Sequence, residues 1–277
     1  PLNRRQRQMC IRDRYSRGHV LVKSGPLTTT GASRLSAISA LRSGAGAVTL
    51  SSDTNALVVN ASHLTSVMLK EINNADELSR FMKEKKIDTV IIGPGSGVNK
   101  LTKDMIIMAI KEEKSLVLDA DGLTSFKKKP EELFFYLKNR KKRENIILTP
   151  HHGEFNRLFK ISNLNKIEKT NLAANLTNST ILYKGNDTVI STPKKETLIS
   201  QESSPFLATA GSGDVLAGIC GSFLAQGMKS HQAAAAASWL HNEIGLENGP
   251  GFIAEDMSKF IARTISKKLK KLYENGN

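Results

Sequence analysis

"HVLVKSGPLTTTGASRLSAISALRSGAGAVTLSS", residues 19–52, decides the fold. Residues 19–24 are a short apolar run and read as a buried strand. In "GASRLSAISALRSG" (31–44), Ala32, Leu35, Ile38 and Leu41 recur at helical spacing and predict one helix face. "GAVTLSS" (46–52) is the next strand. Strand, helix and strand follow one another through short connections, which is the sign of a parallel sheet.

The alternation continues along the chain. "DTVIIG" (88–93), "SLVLDAD" (115–121), "NIILTP" (145–150) and "TILYKG" (180–185) are short runs of Val, Ile and Leu. Strands covered on both faces look like this, because neither face needs polar residues. "TVIST" (188–192) and "ETLIS" (196–200), joined by Pro-Lys-Lys, predict a hairpin at one sheet edge. Three helices, near 214–226, 231–245 and 255–273, close the chain. The fold class is α/β. No repeat, linker or domain boundary is visible after residue 18.

In an open α/β sheet, ligands bind beyond the carboxyl ends of the strands. The polar punctuation of this sequence falls there. "GPGSG" (93–97) keeps a strand-to-helix connection bare enough for a ligand to approach. "DADG" (119–122) ends a strand with two acids, able to orient Mg²⁺ through water or to cap a helix. "TPHHGE" (149–154) offers His151 as a donor and Glu154 as a cap or a second holder of water around Mg²⁺; its spacing is not that of a zinc site. "KGNDT" (184–188) puts Lys184 at a strand end, within reach of a phosphate or simply in solvent.

"LATAGSGDVLAG" (207–218) carries the sharpest chemical signal. Gly211 and Gly213 bare the backbone where a helix begins, and free N–H groups with the helix dipole favour an anion. Asp214 repels a phosphate, so it does not bind one. It is placed to take a proton from a hydroxyl that attacks it, the base role in phosphoryl transfer. The plain alternative is an acid that merely favours the first turn, and short glycine motifs do recur by chance. The stretch is not a P-loop, since the Gly-Lys-[Ser/Thr] ending is missing.

The 277 residues are 39% apolar with a net charge of +14, and no apolar stretch nears the ~18 residues of a membrane span. Basic runs at Lys127–Lys129, Arg140–Arg143 and Lys267–Lys271 lack the interleaved aromatics that stacked bases require, so they read as solvated surface rather than a nucleic-acid site. Cys10 and Cys220 are far apart, which fits a reducing cytoplasm and no disulfide framework. "PLNRRQRQMCIRDRYSR" (1–17) holds six of the 13 arginines, lacks periodicity, and reads as a disordered or non-native leader, with no apolar signal-peptide core behind it.

Taken together, "RGHVLV", "TGASRLSAISALRSGAGAVTL", "IIGPGSG", "LVLDADGL", "ILTPHHGEF", "YKGNDTVI" and "ATAGSGDVLAGICGSFLAQG" resemble the ADP/ATP-dependent NAD(P)H-hydrate dehydratases, from about residue 17 to the C-terminus. The Gly-x-Gly-Asp motif alone belongs to the wider ribokinase-like superfamily, so a small-metabolite kinase is the competing reading. The resemblance implies a three-layer α/β/α domain over 18–277 with a mainly parallel sheet. It implies dehydration of the S epimer of hydrated NADH or NADPH, with ADP or ATP as co-substrate, Mg²⁺ as cofactor, and a homotetramer in the cytoplasm. Carried over by motif, Ala32, Gly97, His151 and Asp214 contact the hydrate, with Asp214 as base. Lys184, Gly185, Asn186, Asp187, Thr188 and Gly213 contact the nucleotide. The first loop departs from the family: "KSGPLTTTGA" (23–32) has Lys23 and Pro26 at small or flexible positions and Thr29 for a methionine, which predicts a stiffer loop. Many members also carry an N-terminal epimerase domain, whereas here only the basic leader precedes the match.

Overall fold

The computed structural model describes residues 16–141, 145–200 and 203–274. All but two residues of the basic leader lie outside these. Arg17 is at the surface, where its carbonyl accepts the Gly46 N–H.

One nine-stranded sheet organises the chain. Its strands are β1 (His19–Lys23), β2 (Ala47–Ser52), β3 (Met68–Glu71), β4 (Thr89–Ile92), β5 (Ser115–Leu118), β6 (Ile146–Leu148), β7 (Thr180–Tyr183), β8 (Thr188–Ser191) and β9 (Leu198–Ser200), in the order β3-β2-β1-β4-β5-β6-β7-β8-β9. The pairs from β3 through β7 are parallel, and β8 runs antiparallel to both β7 and β9. The expected edge hairpin is therefore β8–β9. β3 had no counterpart in the sequence reading. It is an edge strand, "MLKE", largely exposed, and so has no apolar run.

Helices cover both faces, as the resemblance implied. They are α1 (Thr30–Arg42), α2 (Thr54–His63), α3 (Ala75–Glu84), α4 (Lys100–Lys111), α5 (Ala120–Thr124), α6 (Pro130–Lys138), α7 (His152–Phe159), α8 (Lys166–Thr177), α9 (Ser212–Ala225), α10 (Ser230–Leu246) and α11 (Ala254–Glu274). Alternate strand residues point to opposite faces. Val20, Val22, Ile91 and Val117 pack with α1, α9, α10 and α11, while Leu21, Val90, Ile92 and Leu116 pack with α3, α4, α6, α7 and α8. Each central strand is thus buried on both sides.

The face expected for α1 packs on the core through Leu35, Ile38 and Leu41, but it is not the most buried one. Ala32, Leu35, Ile38 and Leu41 are half-buried, and the buried positions are Thr30, Ser33, Ser36, Ala37, Ser39 and Ala40. The reason is the partner helix. A Cβ on Gly218 of α9 would lie 2.0 Å from Ser39 Oγ and 2.3 Å from the Ser36 carbonyl oxygen, so the two helices meet almost backbone to backbone. Only small residues fit such a seam. The hydroxyls within it are bonded, Ser39 Oγ to the Leu35 carbonyl at 2.7 Å and Ser36 Oγ to the Asp214 carbonyl at 2.8 Å.

Of the basic runs, Arg140 departs from the solvated reading: its guanidinium is buried and donates to the Lys114 carbonyl at 2.7 Å. Lys267 and Lys268 pair with Glu247 and Glu243 at 2.6 and 2.7 Å. Cys220 is a buried free thiol, and Cys10 lies outside the described residues. Among the described residues no helix is long and apolar enough to cross a membrane.

Candidate active site

The chain runs from β1 outward to β3, then returns to the other side of β1 to start β4. Between β1 and β4 the connections diverge to opposite sides, which opens a crevice at the carboxyl ends of these strands. Two of the singled-out loops flank it. Gly93, Gly95 and Gly97 have φ of +141°, +63° and +81°. A Cβ on Gly95 would fall 2.4 Å from the Thr29 carbonyl oxygen, and one on Gly93 would fall 1.8 Å from that of Asp119. Three strand-end loops therefore stack with no room for side chains. Thr29 Oγ1 donates to the Gly95 carbonyl at 2.7 Å, which pins the first loop to the second. Lys23 is buried at the end of β1, its ammonium donating to the Ser24 carbonyl. Burial lowers its pKa to about 8, with Asp53 working the other way.

The charged centre lies one to three strands further on, at the ends of β5, β6 and β7. Asp119, at the end of β5, is 1% exposed and does not cap α5. Its Oδ1 accepts from Lys184 Nζ at 2.8 Å and from Thr149 Oγ1 at 2.8 Å. Lys184 is thus no free surface lysine. Burial would lower the pKa of its ammonium, but Asp119, Glu154 and Asp214 around it outweigh that and raise it. Asp121 turns the other way and accepts the Gly97 N–H at 2.9 Å.

His151 and Glu154 form a reciprocal cap on α7. His151 Nδ1 accepts from Gly153 N at 2.9 Å, and Glu154 Oε2 accepts from His151 N at 2.9 Å. An Nδ1 that accepts leaves the proton on Nε2, which stands 3.2 Å from Glu154 Oε1. Burial, helped by Lys184 and Arg157, holds the imidazole pKa below its ordinary value, so the neutral form prevails near pH 7. Burial likewise raises the Glu154 carboxyl.

Asp214 sits in the first turn of α9. Helices α2, α3, α4 and α8 begin with an Asp or Asn side chain that accepts a first-turn N–H. The N-cap of α9 is Gly211, at φ +87°, with no side chain to do so. The Ser212 N–H donates to the Thr209 carbonyl at 3.3 Å, and the Gly213 and Asp214 N–H groups are left for a ligand. A Cβ on Gly213 would lie 3.3 Å from Lys184 Nζ, so the glycine loop and the lysine face one another. Burial first, then the charges of Asp119, Asp121 and Glu154, push the Asp214 carboxyl up to about 7, with Lys184 opposing. That is the poise of a general base at neutral pH.

A cavity of about 560 Å³ opens beside this centre, lined by His151, Lys184, Gly185, Asn186, Thr188 and Gly213 among others. The structure thus gathers most of the residues expected for the nucleotide. The carboxylate of Asp187 is turned out to Lys166 at 2.8 Å and borders a smaller neighbouring groove instead. Ala32 and Gly97 line no part of the large cavity; Ala32, in the first turn of α1, and Gly97, in the loop after β4, stand beside the β1–β4 crevice. Asp214 lies where the two regions meet, bonded to α1 through Ser36 and facing Lys184 through Gly213. Sequence reasoning missed Ser36 and Thr149, which are buried and touch the site only through other residues, and His241, which is buried in the wall of the cavity itself.

Mg²⁺ was expected near Asp119 and Glu154. Asp119 Oδ1 is taken by Lys184 and Thr149, and Glu154 by the cap on α7. Among the described residues no three His, Cys, Asp or Glu side chains come together as a metal cage. The residues present do not fit a directly held ion.

Solved structures place this architecture with the ribokinase-like proteins. A ribokinase-like superfamily protein of Enterococcus faecalis superposes with a TM-score of 0.79 at 23% identity, over 92% of this chain and 88% of that one. The ADP/ATP-dependent NAD(P)H-hydrate dehydratase of Bacillus subtilis, crystallised with ATP and Mg²⁺, gives 0.75 at 22% identity, over 92% and 91%. A family model described as NAD(P)H-hydrate dehydratase, of the carbohydrate-kinase type, matches residues 20–267. The chain belongs to the NAD(P)H-hydrate dehydratase family. It is 32% identical over 231 residues to the ADP-dependent (S)-NAD(P)H-hydrate dehydratase of Lactococcus lactis, covering 82% of this chain and 80% of that protein. It is 31% identical over 232 residues to the bifunctional NAD(P)H-hydrate repair enzyme of Coxiella burnetii, covering 82% of this chain and 45% of that one. The chain spans about half the length of the bifunctional relatives it matches.

Proposed function

We propose that the protein is a hydro-lyase that dehydrates the S epimer of hydrated NADH or NADPH at the expense of ADP or ATP. The observation that carries this reading is the Asp214 carboxyl, pushed up to about 7 at the mouth of an uncapped, glycine-lined helix that faces Lys184. A nucleotide lies in the large cavity with its terminal phosphate toward Gly213, and the hydrate lies in the β1–β4 crevice among Ala32, Gly97 and His151. Asp214 takes the proton of the ring hydroxyl as its oxygen attacks the terminal phosphorus. The bond from that phosphorus to the nucleotide breaks, and AMP or ADP leaves. Inorganic phosphate then leaves the ring of this ester with the C–O electron pair, and the proton of the neighbouring C–H passes to solvent while its electron pair restores the ring double bond. Lys184 offsets charge on the phosphate. Mg²⁺ enters this reading only as the companion of the nucleotide phosphates, through water rather than side chains.

The names of the relatives support this reading over a small-metabolite kinase. A cytoplasmic homotetramer, with one dehydratase domain over residues 18–277, belongs to the same proposal. Incubating the protein with hydrated NADH and either nucleotide tests it. Recovery of the dihydropyridine absorbance is expected with at least one of them, and no recovery with either would overturn it.

A further inference from the structure

Beside the proposed phosphate site lies a buried histidine that the reaction above does not use. His241, on α10, is 9% exposed, and its ring lines the same cavity as Lys184 and Gly213. Nε2 stands 3.0 Å from the Ser212 carbonyl oxygen and 2.9 Å from Ser212 Oγ. A carbonyl can only accept, so Nε2 carries the proton and the ring is the Nε2–H tautomer. Burial, with Lys184 adding to it against the Ser212 bond, lowers the imidazole pKa to about 4, so this donor keeps one state across the neutral range.

Ser212 is the first residue of α9, between Gly211 and Gly213. With glycine at the N-cap, no capping side chain holds this turn, and its backbone is tied by Ser212 N–H to the Thr209 carbonyl at 3.3 Å and Val215 N–H to the Gly211 carbonyl at 3.1 Å. The nearest hydroxyl, Ser212 Oγ, is the kind of group that folds back onto free first-turn N–H groups and competes with a ligand for them. The imidazole holds both the hydroxyl and the carbonyl of Ser212. The next residue of α10, Asn242, does the same for the opposite wall: its Oδ1 accepts the Ser204 N–H at 3.0 Å, where the Pro205–Leu207 turn begins. One turn of α10 thus fixes two sides of the cavity.

We propose that His241 is a positioning residue: by holding Ser212 it keeps the Gly213 N–H and the Asp214 carboxylate aimed at the transferring phosphate. This rests on the phosphoryl-transfer reading of the site.

The test compares the wild type with His241→Gln and His241→Phe. Glutamine can return an N–H near the place of Nε2, and phenylalanine fills the space without one. Two measurements are made on each protein: turnover of hydrated NADH with ADP or ATP, and binding of ADP by calorimetry. His241→Phe is expected to lose kcat by about 10- to 100-fold, the range for losing one placed polar contact. Its KM for the hydrate should stay within about threefold, since the hydrate does not touch Ser212. Its ADP affinity should fall about fivefold. His241→Gln should recover most of both losses at an unchanged pH profile. Wild-type kcat and ADP affinity in His241→Phe would overturn the proposal, as would a glutamine variant no better than phenylalanine. Should the wild type itself turn over no hydrate, the dehydratase reading falls, and ADP affinity alone then decides for or against His241.

Discussion

Lys184 Nζ and Asp119 Oδ1 are 2.8 Å apart, and both side chains are largely shielded from water. The pair spans two strand ends 65 residues apart in sequence and sets the charge beside Asp214. Truncating the lysine alone leaves a buried carboxylate with only Thr149 for company. Breaking such a pair from one side costs about 3–5 kcal/mol. Lys184→Met should therefore lower unfolding free energy by about 3 kcal/mol in a denaturant titration. Adding Asp119→Asn should return much of it, and strictly additive losses would show that the two do not act as a pair.

Lys184 also holds the Asp214 pKa down against its burial, and that pKa of about 7 sets the pH dependence. The base is ionised above it. kcat/KM should fall about tenfold per pH unit below pH 7 and level off above it. A flat profile from pH 5 to 8 would exclude Asp214 as the base.

Asp214→Asn keeps shape but loses basicity. kcat should drop about 10²- to 10⁴-fold with ADP binding kept. Stability should move the other way. The folded-state pKa lies above the unfolded 3.8, so this group favours folding most below pH 3.8 and loses that advantage as pH rises through about 7. Above pH 7 the wild type buries a charge that asparagine lacks. The variant should be more stable at pH 8 by about 2 kcal/mol, with the gap closing toward pH 5. A variant that melts earlier at pH 8 would mean the carboxylate serves the helix instead.

The α1–α9 seam is the most demanding packing near the site. Gly218→Ala would place a methyl 2.3 Å from the Ser36 carbonyl oxygen, which is backbone and gives way only if the helices part. A loss of about 2–3 kcal/mol is expected by thermal unfolding. Because Ser36 Oγ holds the Asp214 carbonyl, kcat should fall more than KM rises. An unchanged melting temperature would show that the seam opens freely.

Gly97 has φ +81° and donates its N–H to Asp121 at 2.9 Å. Gly97→Val adds a branched side chain to a left-handed backbone, at about 1–2 kcal/mol. The KM for the hydrate should rise with the fold retained. Unchanged kinetics would make the loop a turn and nothing more.

Much of this was legible in the sequence. The central strands are apolar throughout because both faces are covered, and so β1, β2 and β4 through β7 stand out. β3 does not, since an exposed edge strand needs no such run. Helical periodicity of large residues shows the face of α1 that carries Leu35, Ile38 and Leu41, but not the seam beside it, where Gly218 of α9 selects small residues. Strand-end positions gave the site its residues but not its partners. Lys184 with Asp119 and His241 with Ser212 meet only through tertiary packing, and no local pattern announces either pair.

The sheet grows outward from the first strand made, and this bears on how the chain leaves the ribosome. β1, β4, β5, β6 and β7 can pair as they emerge, and their α3–α8 face is roofed by segments already synthesised. The other face waits in part. α1 covers it over β1 and β2, but over β4 and β5 Ile91 and Val117 wait for α9, which begins about 120 residues after β4. At ~5–20 residues per second, the apolar face of β4 and β5 stands bare for roughly 5–25 seconds. A nascent chain stopped before residue 212 would carry that bare face permanently and should be bound by chaperones or degraded.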